Sequence, residues 1–73
     1  MEKLTKQQKA VLNLLSGDVP FTTTEISYKL NTTYEAEAAR LKKLKARNLV
    51  ERIDNTWKLT FTGKRVVKEM TDA

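Results

Sequence analysis

The residues with chemistry to offer in this chain are its cations, and they are crowded: Arg40, Lys42, Lys43, Lys45, Arg47 and Arg52 all fall in one stretch. Residues 32–53 hold six basic and three acidic side chains, net +3, while the segments before and after add +1 each to a whole-chain charge of +5. Clustered Lys and Arg neutralise extended anions. The groups that other chemistry needs are missing. The 73 residues include no Cys and no His, which removes the usual zinc ligands and every Ser-His or Cys-His pair. No acidic cluster has the spacing of a calcium loop. The expectations are no metal, no cofactor, no small-molecule ligand and no enzymatic activity, because a domain this small builds little pocket around the carboxylates, lysines and tyrosines that remain.

The longest apolar run is Ala10-Val11-Leu12, against the roughly 20 residues that span a bilayer. Met1-Glu2-Lys3 leads into no apolar segment of the kind that directs export. The expected location is the cytoplasm, at the nucleoid for a cellular protein and in the host cytoplasm for a viral one, with no membrane contact. A pI near 9.7 points to an anionic partner.

The elements that must position the cations can be read from spacing and caps, and no repeat or linker divides residues 1–73, so one domain is expected. Thr5 and Gln8 have capping-box spacing ahead of Val11, Leu12 and Leu15, which predicts helix 1, stopping at Gly17. Val19-Pro20-Phe21 suits a short edge strand or bridge. Thr22 and Glu25 form a second capping box before Ile26 and Leu30, predicting a two-turn helix 2. After Asn31-Thr32-Thr33, a longer helix 3 is expected from about Thr33 to Arg47, with Thr32 and Glu35 as a third box and Asn48 as its stop. Leu49–Ile53 reads as a strand, Asp54-Asn55-Thr56 as a turn, and Trp57–Phe61 as the returning strand, with Trp57, Leu59 and Phe61 on one face. Lys64 to about Met70 is amphipathic, so Val66, Val67 and Met70 can return to the core as helix 4.

The class is therefore mainly α with a small β-hairpin, and the order is that of a winged helix-turn-helix: a three-helix core, a wing and a C-terminal helix. Glu25-Ile26 through Leu30, Asn31-Thr32-Thr33, Leu41, Leu44 and Asn48-Leu49-Val50-Glu51-Arg52 look like the helix-turn-helix-to-wing passage of MarR-like and related bacterial, archaeal and phage regulators. Leu59-Thr60, Thr62 and Gly63 are similar to the Leu-Thr and Gly that leave the wing in that family. The resemblance spans roughly residues 22–65. It departs at Asn48, where the family usually has Gly, and at Glu37 and Arg40, where it often has apolar residues. The extra terminal helices with which MarR-like proteins dimerise and form a ligand pocket have no counterpart here, so neither an inducer nor that mode of dimerisation is expected.

The resemblance implies that helix 3, about 33–47, enters the major groove of double-stranded DNA and that the wing, about 49–61, rests on the backbone. At about 100° per residue, Tyr34, Ala38, Leu41 and Leu44 share the inner side of helix 3. Ala36, Ala39, Lys43 and Ala46 lie opposite, with Arg40 and Arg47 along one edge and Glu35 and Lys42 along the other. Small alanines admit the helix closely, Arg40 reaches a guanine edge or phosphate, and Lys43 a phosphate. Good helix formers on a solvated face explain the same strip. Glu35 either accepts from a cytosine amino group or, like Glu37, simply complements the helix N-terminal dipole, with Glu37 also spaced to pair with Arg40. Thr23 and Thr33 offer hydroxyls to phosphates or serve only as caps, and Arg52, Asn55 and Lys58 furnish the wing. Trp57 and Tyr34 are expected to pack.

A transcriptional regulator is the first expectation. A homodimer or a protein partner bound through helices 1 and 4 would supply the contacts a single copy lacks. The alternative is a winged helix that serves as a protein-interaction module. Domains that bind left-handed duplexes share this order and a Trp after the wing, but no prolines precede Trp57, and helix 3 lacks their outward Asn and Tyr.

Overall fold

A computed structural model of the protein describes residues 4–17 and 19–72. Met1-Glu2-Lys3, on which the expectation of no export segment rests, lies outside the described residues. The elements run α1 (Lys6–Leu15), α2 (Thr23–Leu30), α3 (Tyr34–Ala46), β1 (Val50–Ile53), β2 (Thr56–Leu59) and α4 (Phe61–Asp72). This is the mainly helical architecture with one hairpin that the spacing predicts.

The helix starts follow their caps. The Thr5–Gln8 and Thr22–Glu25 boxes close in both directions, each hydroxyl accepting from the N3 amide at 3.1 Å and each N3 side chain accepting from the cap amide at 2.9 Å. The third box does not form. Thr33, not Thr32, caps α3, accepting from the Ala36 amide at 3.2 Å, because the Thr32 hydroxyl is bonded instead to the Glu37 carboxylate. α1 ends on Ser16 in a right-handed conformation, so Gly17 follows the helix without the left-handed turn that a glycine often supplies.

Asparagine makes two of the turns. Asn31 ends α2 at φ 57° and Asn48 follows α3 at φ 61°, a conformation that short amide side chains tolerate. At Asn48 the amide donates to the Lys45 carbonyl at 2.9 Å, and the next amide, of Leu49, donates to Leu44 at 3.0 Å, the paired bonds of a Schellman motif. Asn48 thus occupies a position that glycine would also satisfy.

The hairpin is antiparallel, with Val50 opposite Leu59 and Arg52 opposite Trp57. Its loop is two residues, Asp54 and Asn55, at φ 52° and 55°, matching a type I′ turn. Thr56 therefore opens β2 rather than belonging to the turn. Phe21 forms the expected bridge, exchanging backbone bonds with Trp57 at 3.3 and 2.7 Å.

The wing is shorter than 49–61, and helix 4 begins earlier than Lys64. Thr60 explains both: its hydroxyl accepts from the Gly63 amide at 3.0 Å, and its carbonyl accepts from the Lys64 amide at 2.9 Å, so the chain turns into α4 at Phe61. Phe61 consequently leaves the strand face it was expected to share with Trp57 and Leu59 and is 78% exposed.

Val11, Leu12, Leu15, Ile26, Leu41, Leu44, Leu49, Val50, Trp57, Leu59 and Val67 make one buried cluster, with Val66 and Met70 half-buried against it. Every element contributes, so α3 and the wing are packed onto a common core. Among the described residues no helix is long and apolar enough to cross a membrane.

Candidate nucleic-acid interface

The exposed face of α3 is set by what its other face buries. Leu41 and Leu44 are inside as expected, but the third inward residue is Glu37, which is fully buried. One carboxylate oxygen, Oε2, receives both the Thr32 hydroxyl and the Arg40 guanidinium. A buried charge must be paired and hydrogen-bonded to be tolerated, and these two donors supply that. The Glu37–Arg40 pair that the sequence spacing allows is therefore present.

Accommodating Glu37 turns α3 by roughly 40° from the expected orientation, at about 100° per residue. Tyr34 moves outward and is 55% exposed, a correction to its expected packing. Ala36 becomes half-buried rather than outermost. The outer strip is now Glu35, Ala39, Lys42, Lys43 and Ala46, all exposed. Arg40 and Arg47 are half-buried on one flank. Arg40 lies beside Gln7, Ala10, Leu30 and Thr32 in a small cavity of about 100 Å³, folded toward Glu37 and away from the outer strip.

On the opposite flank α3 faces the wing across a cleft of about 260 Å³, lined by Thr23, Tyr34, Ala38, Lys42, Lys45, Arg52 and Trp57. Three cations and two hydroxyl groups converge there, and the lining contains no carboxylate. The cleft is held from three sides. Trp57 donates its indole N–H to Thr23 Oγ1 at 3.0 Å, which ties the wing to the start of α2, and the Phe21 bridge repeats that tie through the backbone. The Arg52 guanidinium stands 5.9 Å from the centroid of the buried Trp57 ring and donates to Asn55 Oδ1 at 3.0 Å, a geometry in which cation–π attraction helps to place it.

Thr23 and Arg52 thus line one cleft, Asn55 is joined to it through Arg52, and Thr33 is the N-cap of α3. Lys58 is not among them. Alternation along a strand puts it on the other face of the hairpin, where it pairs with Glu51 at 3.6 Å. The sequence assigned Tyr34 to packing, gave Lys45 no place on the face and left Lys42 at an edge. The pattern of positions 37, 41 and 44 carried the missing signal, but a periodicity that counts only apolar residues gives a glutamate no inward weight.

No family model matches the sequence, and no curated protein does. Solved structures do match. MepR, a transcription regulator of the Staphylococcus aureus multidrug efflux pump MepA, aligns with a TM-score of 0.90 at 24% identity, covering 94% of this chain and 55% of that one. MarR from E. coli in its reduced form aligns at 0.91 with 25% identity, covering 96% and 53%. The Mycobacterium tuberculosis MarR family protein Rv2887, in complex with DNA, aligns at 0.88 with 25% identity, covering 94% and 54%. The chain spans about half the length of these solved chains. Element order and these likenesses agree: the chain has a winged helix-turn-helix fold similar to that of MarR-family transcription regulators.

Proposed function

We propose that this domain binds double-stranded DNA sequence-specifically as a transcriptional regulator, placing α3 in the major groove and the wing on the neighbouring backbone. The observation that carries the reading is the outer strip of α3, where Ala39 and Ala46 are small enough for close approach and Lys42 and Lys43 stand beside them. The alanines suit contact with thymine methyls, Lys43 suits a guanine edge or phosphate, and Glu35 is placed to accept from cytosine. The Rv2887 match, a protein solved with DNA bound, supports it.

One copy would reach one half-site, so a second copy is part of the reading. The face between α1 and α4, a groove of about 480 Å³ lined by Lys9, Asn13, Val66, Glu69 and Met70, is the surface assigned to it. The test is fluorescence anisotropy of a labelled random duplex from low to moderate salt. Binding that weakens steeply with salt, at a slope equivalent to roughly four to six neutralised phosphates, and further weakening by Lys43→Ala, are expected. A duplex ignored even at low salt overturns the reading and puts a protein-interaction module in its place.

A further inference from the structure

We propose that Glu37 holds Arg40 off the DNA-facing side of α3, and that this internal contact sets the domain's sequence-independent affinity below what its cations could deliver. The proposal rests on the DNA-binding reading above. Glu37 touches no nucleic acid in it and is a positioning residue that acts through Arg40.

Arg40 would otherwise border the outer strip. It precedes Lys43 by three residues, which puts the two about 60° apart around the helix axis and about 4.5 Å apart along it. Lys43 is exposed on that strip. The Arg40 guanidinium is turned the other way, donating from Nη1 to Glu37 Oε2 beside Gln7, Ala10, Leu30 and Thr32. Those neighbours belong to α1, to the end of α2 and to the turn after it. The Arg40 side chain is 25% exposed and that of Glu37 is fully buried.

The contact is held by the acid's needs rather than by the arginine's. A buried carboxylate is costly without a counter-charge. The Thr32 hydroxyl gives Oε2 a hydrogen bond but no charge, and Oε1 has no partner among the described residues. Moving Arg40 to a phosphate would therefore leave Glu37 charged in the core without its cation, a penalty that the exposed Lys42 and Lys43 do not face. Phosphate contacts strengthen binding to every sequence alike. Withholding one lowers nonspecific affinity and leaves base contacts a larger share of the discrimination. Counting Arg40 among the cations of residues 32–53 thus overstates the pull of this face on DNA.

The test compares the parent with Glu37→Gln, Glu37→Leu, Arg40→Ala and Glu37→Leu/Arg40→Leu, each titrated by anisotropy with a random duplex across a fourfold range of salt. Thermal midpoints identify the variants that fold. Removing the carboxylate charge frees Arg40 for one more phosphate, so Glu37→Gln is expected to steepen the log–log salt slope by about 0.9 and to lose roughly three- to fourfold more affinity than the parent over that range. Glu37→Leu gives the same result by a second route. The paired leucine variant and Arg40→Ala are both expected to keep the parent's slope, because Arg40 makes no phosphate contact in the parent. A general effect of net charge would move Glu37→Gln and Arg40→Ala in opposite directions, whereas a withheld Arg40 moves only the first. The parent's slope in the Glu37 single variants, or a slope lowered by about one in the variants that lack Arg40, overturns the proposal while DNA binding stands. A parent protein that ignores the duplex at low salt overturns the DNA reading itself.

Discussion

Glu37 is the residue on which the orientation of α3 turns. It is a fully buried acid in a helix whose other inward residues are leucines, and of its two carboxylate oxygens only Oε2 has partners, Thr32 and Arg40; Oε1 has none. The arrangement joins the helix-turn-helix turn to the first half of α3 and draws Arg40 inward. Arg40→Ala would leave the acid in the core without its cation. The expected cost is roughly 3 kcal/mol, the low end for breaking a buried pair, because the arginine side chain is a quarter exposed. Thermal and urea denaturation followed by circular dichroism measure it. Replacing both partners together, Glu37→Leu with Arg40→Leu, is expected to be neutral or stabilising, since apolar packing commonly equals a buried ion pair. An Arg40→Ala protein as stable as the parent would show that Glu37 does not depend on this partner. The pair was legible from its i,i+3 spacing, but its burial was not, because burial of a charge is decided by tertiary partners that a local pattern does not contain.

At the scale of elements, the wing and α4 are coupled through one close backbone contact. The Leu49 carbonyl accepts from the Thr60 amide at 3.1 Å, and Gly63 packs on the same carbonyl. A Cβ added at position 63 would stand 2.0 Å from the Leu49 oxygen. Gly63→Ala must therefore displace α4 from the hairpin base, and a loss of about 2 kcal/mol is expected, within the range for overpacking a tight core. The midpoint of urea unfolding measures this, and an unchanged midpoint would mean that α4 is not seated against Leu49. The two well-formed capping boxes and the asparagine turns were readable because each depends on residue type at fixed short offsets. The boundary between wing and α4 was missed for a physical reason. Trp57, Leu59 and Phe61 alternate as a strand would, yet the Thr60 hydroxyl stops that alternation by capping Gly63.

For the molecule as a whole, helix order, hairpin and core were legible because hydrophobic periodicity and turn chemistry point to the same answer throughout. The candidate binding face was legible only to within a helix rotation. The cluster of cations on α3 could be read directly, while which of them look outward depended on Glu37 entering the core and on Trp57 tying the wing to α2. That tie fixes the cleft and gives α3 and the wing one common front. The most direct test is an NMR titration of the isotopically labelled protein with a short duplex at low salt. The expected result is that amide shifts concentrate on α3 from Thr33 to Arg47 and on the wing from Val50 to Leu59, with Lys42, Lys43, Lys45 and Arg52 among the most affected. Shifts confined to α1 and α4, or a spectrum that duplex leaves unchanged, would contradict the account.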